Sequence, residues 1–486
     1  MNTLKQRISS ATRRQWTWFA VLSILWILFT FWAGNIWLLL LIFLFFDIYI
    51  TKFIPWTWWK KSKNPTVRKT MEWVDAIVFA LIAVYFINTF FFQNYQIPTS
   101  SLEKSLLVGD FLAVSKLSYG PRAPMTPLSF PLAQHTMPII GGKSYIDKPQ
   151  WKYHRLKGFG HVKRNDIVVF NFPAGDTVAL NVQASDFYTL SKYNANGSAG
   201  VRADKRSYGN IVWRPVDRRE NYVKRCIGLP GETIQLKNDT VYIDGNIIPH
   251  AKTAQFNYMI QTDGSVISPS VFEEMGISKS DYIGVNEYGQ NVDKYQDLTS
   301  VDTLAAERLG LKQKNGSFGK LYTQIPMTDA MVAEMKAKPF VLNVIKEPTQ
   351  GGYYYPLNYD TGWTNNNYGP LWIPKKGATI TFDTDVPYKV AAYERCIKNY
   401  EGNDFAYRDG KVYINGQPAD SYTFKYDYYF MMGDNRDNSA DSRAWGFVPE
   451  DHVVGQPLLI WLSLDKDKSW FGGKIRWKRL FRSAKK

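Results

Sequence analysis

Gln96-Ile97-Pro98-Thr99-Ser100-Ser101-Leu102 follows directly on a strongly apolar run, residues 73–92. Three consecutive hydroxyl residues add nothing to a buried strand. A proline that fixes its own φ makes this a shaped, extended turn rather than more helix. Two adjacent serine hydroxyls are therefore held where a membrane ends.

Upstream of that turn lie three apolar runs, 15–33, 36–50 and 73–92. The first and third are long enough to span a bilayer. The second is shorter and carries Asp47, so its length suits a short span, a re-entrant piece or the second arm of a hairpin turning at Gly34-Asn35. The hairpin arm accords best with the charges: Lys5, Arg7, Arg13 and Arg14 precede the first run, and Lys52, Lys60, Lys61, Lys63, Arg68 and Lys69 precede the third. By the positive-inside rule both basic stretches share the cytoplasmic side, so the third run delivers Ser101 and all that follows to the outer face. A cleaved signal peptide is the weaker reading, because no small-x-small cleavage pattern follows the first run.

The net charge of +16 suggests a nucleic-acid binder until it is placed along the chain. Residues 1–92 carry a surplus of 7 positive charges and residues 466–486 a surplus of 8, which leaves +1 for everything between. That balance excludes the basic face a DNA or RNA partner needs. Two cysteines, Cys226 and Cys396, do not make a disulfide framework, and the five histidines form no metal-ligand spacing. Neither metal nor cofactor is expected.

Beyond residue 92, short runs rich in Val, Ile, Tyr, Phe and Thr are broken by Gly, Asn, Asp and Pro, which predicts a mainly antiparallel β domain. Segments 167–172, 233–236, 240–243, 378–382 and 411–414 are its clearest strands, and helical periodicity is confined to 326–338 and 302–311. Residues 251–370, polar and without a chemical motif, look like an inserted α+β lobe. The expected organisation is therefore a membrane anchor (1–92), a catalytic β domain (93–250 and 371–465), the inserted lobe (251–370) and a basic, aromatic tail (466–486). For the tail, an interfacial helix and an unstructured basic end are both open. An internal echo links Tyr222-x-Lys224-Arg225-Cys226-Ile227 and Val241-Tyr242-Ile243-Asp244-Gly245 to Tyr393-Glu394-Arg395-Cys396-Ile397 and Val412-Tyr413-Ile414-Asn415-Gly416. The shared Arg-Cys-Ile favours a duplication over two unrelated hairpins.

A serine hydroxyl is a poor nucleophile at neutral pH and needs a base beside it. No G-x-S-x-G elbow is present, and His452, in a Glu-Asp-His-Val-Val-Gly setting, reads as a surface or strand-edge residue. Ser101-Leu102-Glu103-Lys104 matches Ser-x-x-Lys, the signature of a cell-wall acyltransferase, but Ser-Asp-Asn and Lys-Thr-Gly are missing and Lys104 reads as a solvated charge. Lys224 sits in an apolar, β-rich segment where burial would lower its pKa, as a lysine base requires. An ordinary exposed Lys224-Arg225 pair is the alternative.

Four segments in chain order resemble the bacterial type I signal peptidases, membrane-anchored Ser-Lys endopeptidases. They are Ile97-Pro98-Thr99-Ser100-Ser101-Leu102 with its continuation to Gly120; Arg164-Asn165-Asp166-Ile167-Val168-Val169-Phe170; Tyr222-Val223-Lys224-Arg225-Cys226-Ile227-Gly228-Leu229-Pro230-Gly231-Glu232; and Met432-Gly433-Asp434-Asn435-Arg436-Asp437-Asn438-Ser439-Ala440-Asp441-Ser442-Arg443. The last is the most specific. The resemblance implies a signal-peptidase-like β fold, Ser101 as nucleophile and Lys224 as general base. It further implies Ser439 as the hydroxyl that aims the amine, and Thr99 as an oxyanion donor beside the Ser101 N–H. Asp441, Arg443 and Asp434 become supports of the Ser439 loop, and Ile97, Leu102, Leu106 and Val223 the walls of small substrate pockets.

The implied reaction is removal of signal peptides from secretory preproteins with small residues at −1 and −3, at the outer face of the bacterial cytoplasmic (inner) membrane. The lipid bilayer and the secretion translocon are implied partners. Ser100 where Gly is commoner, Leu102 for Met and Glu103-Lys104 for a Pro-containing stretch depart from the family pattern and touch specificity rather than the nucleophile or base. A catalytically silent, membrane-anchored binding protein would be expected to lack one of these residues, and none is missing.

Overall fold

The computed structural model describes residues 4–485 apart from 174, 176, 184, 286–290, 299–302, 349–353 and 358–360. The chain packs as two compact units: Met1–Gln93 with Ser115–His161, and Asn94–Val114 with Val162–Lys486. Residues 115–161, assigned from sequence to the β domain, pack in the helical unit. The reason is local: Tyr85 Oη donates to Pro127 O (2.9 Å), and Trp32 Nε1 donates to Lys157 O (2.9 Å).

In the first unit, Arg13–Ala33 and Pro65–Phe90 are long and apolar enough to cross a membrane. Thr12 and Gln15 form a capping box at the start of the first, and Gly34 ends it in the left-handed conformation (φ 65°). Asn64 caps the second helix ahead of Pro65, the position a proline tolerates best. The intervening segment winds as 3-10, α and π turns over Ile36–Thr51. Asp47 is fully engaged there: its carboxylate accepts from Thr51 Oγ1, Phe53 N (2.7 Å), Ile54 N (3.2 Å) and Trp56 Nε1 (2.9 Å). A carboxylate in an apolar segment is thus used to close the chain reversal after it.

The second unit is mainly antiparallel β. Its largest sheet runs Phe92–Gln96, Asp110–Ser115, Val453–Ser463, Ile167–Asn171, Asn221–Gly228, Tyr428–Met432, Val448–Pro449, with Arg482–Ser483 also paired to Val453–Ser463. A four-stranded sheet orders Tyr368–Trp372, Thr233–Lys237, Thr240–Ile243 and Asn246–Ile248. Residues Phe256–Thr262, Tyr295–Asp297, Lys320–Met327 and Val341–Lys346 build a third sheet whose apolar core gathers Phe256, Ile260, Phe272, Ile325 and Met335. Helix Asp329–Lys336 packs on it, and Thr303–Arg308 is the described part of the helix expected over 302–311, of which Asp302 lies outside the described residues.

Two sequence expectations are corrected. The echo is shared only by its hairpins: Asp244-Gly245 and Asn415-Gly416 both turn with positive φ (50° and 81°, 52° and 78°), as a two-residue hairpin loop demands. The Arg-Cys-Ile halves differ, because Asn221–Gly228 is a strand whereas Pro387–Arg395 is a helix opened by its proline and continued by a π turn. Cys226 and Cys396 are both buried free thiols. The tail forms neither an interfacial helix nor an unstructured end: its helical content among the described residues is one 3-10 turn, Trp477–Arg479, Arg482 and Ser483 pair with Ile460 and Leu459, and Ala484 is buried. Arg479 Nη2 meets Asp110 Oδ2 at 2.6 Å and Arg476 Nη1 donates to Val108 O at 2.9 Å, so two tail cations fasten the chain end over the Val108–Asp110 turn.

Candidate active site

Ser101 occupies a single 3-10 turn, Ser100–Leu102, entered from an extended Thr99 (φ −128°, ψ 157°). Ser101 and Leu102 are buried while Thr99 is exposed, and the Thr99 hydroxyl does not cap the turn that follows. The Ser101 carbonyl accepts from Asn435 N (3.1 Å), which ties the turn to the 433–441 loop.

Lys224 lies on strand Asn221–Gly228, opposite Val168, and this strand packs against the Ser101 turn. The strand is covered on both faces from Lys224 onward, so Lys224 is 5% and Arg225 4% exposed. This corrects the reading of an ordinary exposed pair. Burial pushes the Lys224 ammonium down to about 8; the Asp441 carboxylate opposes the fall and the Arg443 guanidinium adds to it.

Opposite Arg225 on the neighbouring strand stands Met432, after which the chain enters Gly433. A Cβ at Gly433 would lie 2.3 Å from Ser439 Oγ and 2.7 Å from the Ser101 carbonyl oxygen. Only glycine lets both serines approach this backbone. The Ser439 hydroxyl is buried and has no hydrogen-bond partner among the described residues. A buried polar group left in this way costs roughly 1–3 kcal/mol.

The loop that carries Ser439 is held by fully buried charge. Asp441 accepts from Gly433 N (3.0 Å) and from Arg443 Nε (2.9 Å) and Nη2 (2.8 Å), and Arg443 Nη2 also donates to Arg436 O (2.6 Å). Asp434 receives Arg225 through both oxygens, each at 2.7 Å, and Oδ2 also accepts from Ser105 Oγ (2.6 Å) and Thr253 Oγ1 (3.0 Å). Burial works against the ionised Asp434, yet these donors hold its pKa below the ordinary carboxylate value. Ile97, Leu102 and Leu106 form one apolar cluster with Leu112, Ile167 and Val169, and Val223 packs on it half-buried. All four residues expected to wall the pockets therefore share one patch of core.

Two other expectations change. His452 is not a surface residue: it is buried, with Nδ1 on Asp451 Oδ1 (2.6 Å) and Nε2 on Arg219 Nη1 (2.9 Å), so both ring nitrogens are occupied. Lys104 is not a solvated charge: its amine donates to the carbonyls of Gly276 and Met275, and burial lowers its pKa.

Residues not anticipated from sequence include Asn435, Ser105 and Thr253, together with Gln255, whose N–H donates to Asp434 O (2.8 Å) and whose carbonyl accepts from Arg436 N (2.9 Å). Arg225 could have been found. An arginine adjacent to a buried lysine on a strand faces the other covered side, where it requires a carboxylate.

The family described as "Signal peptidase, peptidase S26" matches residues 70–302 and 420–462. The chain is similar to Signal peptidase I of Buchnera aphidicola subsp. Acyrthosiphon pisum, 24% identical over 426 residues that cover 87% of this chain and 83% of that protein. It is similar to Signal peptidase I of Haemophilus influenzae, 24% identical over 429 residues, 88% of this chain and 79% of that one. Against Signal peptidase I of Helicobacter pylori (strain 26695) it is 41% identical over 426 residues, 85% of this chain and 91% of that one. With the family match extending over more than half of its length, and with it taking in the Ser101 turn and the Lys224 strand, this chain belongs to the signal peptidase family, peptidase S26.

Proposed function

We propose that Ser101 and Lys224 are the nucleophile and general base with which this type I signal peptidase, a serine endopeptidase, removes signal peptides from secretory preproteins. One observation carries the assignment: a lysine 5% exposed, its ammonium destabilised to about 8, on a strand packed against the turn that holds Ser101. A neutral amine accepts a proton only if it is aimed, and Ser439 Oγ, buried near the Ser101 carbonyl and without a hydrogen-bond partner among the described residues, is the group proposed to aim it.

In the reaction Ser101 Oγ attacks the scissile carbonyl as Lys224 takes its proton, and the ammonium returns that proton to the leaving amine. Water activated by Lys224 then releases the acyl-enzyme. Thr99 and the Ser101 N–H hold the developing oxyanion, an interaction worth about 2.7–4 kcal/mol per donor. Ile97, Leu102, Leu106 and Val223 wall shallow apolar pockets suited to small −1 and −3 side chains, with Asp434, Asp441 and Arg443 as supports. Lys104 is spoken for by two carbonyls, which favours Lys224 over a Ser-x-x-Lys reading.

The two long apolar helices anchor the chain, and the basic residues before each support, by the positive-inside rule, a multi-pass protein with its catalytic unit on the extracytoplasmic side. Residues 94–114, 162–250 and 371–465 serve as the catalytic domain, 251–370 as an inserted lobe that braces it, and the translocon as the source of substrate. The test is incubation of detergent-solubilised wild type, Ser101→Ala, Lys224→Ala and Lys104→Ala with a secretory precursor, reading the new N-terminus by mass spectrometry. Loss of cleavage in the first two variants alone is expected; cleavage by Ser101→Ala, or its loss in Lys104→Ala with Lys224→Ala still active, would overturn the assignment.

A further inference from the structure

Residues 115–161 carry no part of the chemistry, yet their composition is unusual. From Ala123 to Gly142 there is no Asp, Glu, Lys or Arg, and five prolines fall between 121 and 138. After that run the charge turns positive, with Lys143, Lys148, Lys152, Arg155 and Lys157 against Asp147 alone.

The segment folds as an irregular antiparallel hairpin with part of its backbone paired across it. Ser129 bridges Tyr145 and Thr136 bridges Lys143, with Phe130 N donating to Ser144 O (2.7 Å) and Ile146 N to Leu128 O (2.9 Å). Prolines add no donors to be satisfied. An uncharged segment with few free donors suits the headgroup–acyl boundary, whereas the hydrocarbon core itself would demand a partner for every backbone group.

Its apolar side chains nevertheless point outward: Leu128, Leu132, Ile139, Ile140, Ile146 and Phe159 are all exposed. Ile139 stands at the hairpin tip, wholly exposed and with φ +71°, a left-handed conformation that a β-branched residue adopts only under strain. Neither the exposure nor the strain serves folding in water.

The height of the hairpin is fixed by the long helix. Pro65–Phe90 has 26 residues, about 39 Å, against roughly 30 Å of hydrocarbon. Tyr85 donates to Pro127 O (2.9 Å) and Asn88 Nδ2 to Pro131 O (3.5 Å). Tyr85 lies five residues before the helix end, about 7.5 Å along its axis. The hairpin is thus hung beside the outermost turns of a membrane-crossing helix.

From this juxtaposition we infer that the 121–157 hairpin is an interfacial membrane insert, its uncharged tip at Ile139-Ile140 seated at the headgroup–acyl boundary of the outer leaflet and its basic stem at the anionic headgroups. The inference rests on the reading that Pro65–Phe90 crosses the bilayer.

Two labels separate the claims. Full-length protein in nanodiscs of phosphatidylethanolamine and phosphatidylglycerol is labelled with an environment-sensitive fluorophore at Ile139→Cys or, in the middle of the helix, Phe79→Cys; the native Cys226 and Cys396 are buried and stay unlabelled in the folded protein. Lipids spin-labelled high on the acyl chain are expected to quench more than half of the Ile139→Cys emission. No quenching there, with Phe79→Cys quenched by lipids labelled deep in the chain, would overturn the insert; no quenching at either would overturn the anchor and the insert with it. Ile139→Gly with Ile140→Ser, which relieves the strain and removes the apolar tip, should cleave a membrane-embedded precursor severalfold more slowly and a water-soluble peptide at the wild-type rate. Equal rates on both substrates would also overturn the inference.

Discussion

Arg225 and Asp434 meet through two parallel hydrogen bonds of 2.7 Å, both side chains almost wholly buried, and so join the strand of Lys224 to the loop of Ser439. The pair is the hub of a network that also takes in Ser105, four residues past Ser101, and Thr253. A planar guanidinium fills both carboxylate oxygens at once, which a lysine cannot do. Removing one partner leaves the other charged, buried and alone.

Asp434→Ala is therefore expected to destabilise the protein by about 3–5 kcal/mol. Arg225→Lys should retain the charge and lose the fork, giving a folded enzyme with a reduced kcat. Denaturant midpoints of both variants, with kcat and KM on a peptide substrate, check this; wild-type stability in Asp434→Ala would show that the network does not hold the loop.

Lys224 sets the pH dependence. With the amine at about 8, kcat/KM should rise through that pH as the base becomes neutral. The Asp441 carboxylate opposes the lowering, so Asp441→Asn should move the acidic limb to lower pH in whatever fraction stays folded. The stability sign also follows. Because folding disfavours the ammonium, the penalty is present below about 8 and fades as pH rises towards the unfolded value. Lys224→Met should be inactive and, at pH 7, more stable by up to about 3 kcal/mol. A pH-rate profile with no limb near 8 would remove Lys224 as the base.

Local chemistry was legible where a single short segment carries it. Strand Lys411–Ile414 and the capped start of Arg13–Ala33 follow from turn and capping residues alone. Residues 326–338 were only half legible: the strand continues to Met327, and helix Asp329–Lys336 begins after Thr328, whose hydroxyl accepts from Met331 N. That cap is written in the sequence, but the apolar period before it hides the boundary. Lys224 stands out because its apolar neighbours have no use for it, and Ser101 because its run of hydroxyls follows an apolar segment, while Ser439, set among polar residues, stands out only through the family resemblance. Asn435, Ser105 and Thr253 do not, since their roles depend on contacts across 148 to 334 residues of chain, which no local pattern encodes. His452 misled for the same reason, its Arg219 partner being 233 residues away.

Glu103, two residues past Ser101, is 5% exposed, and its Oε2 has no hydrogen-bond partner among the described residues. Burial raises its pKa to about 7, with Lys104 pulling the other way. Folding thus favours the protonated acid, so stability falls as pH climbs from the unfolded value of 4.5 through about 7. Glu103→Gln should abolish that slope and gain up to about 3 kcal/mol at pH 8. Urea midpoints of both proteins between pH 5 and 8 would reveal it, and parallel curves would count against a buried, raised carboxyl.

Gly433 offers the sharpest separation of geometry from stability. Its φ is not in the left-handed region, so alanine meets no backbone strain, and the obstacle is purely steric: the new methyl would stand 2.3 Å from Ser439 Oγ and 2.7 Å from the Ser101 carbonyl. One of the two must retreat. If the site works by aiming an amine between these serines, a displacement of an ångström costs on the order of 10²-fold in rate. Gly433→Ala should therefore lose far more in kcat than in melting temperature, and more than Ser439→Ala, which leaves Ser101 where it is. Gly433→Ala with a near wild-type kcat would show that this approach of the two serines is not what positions the reacting groups.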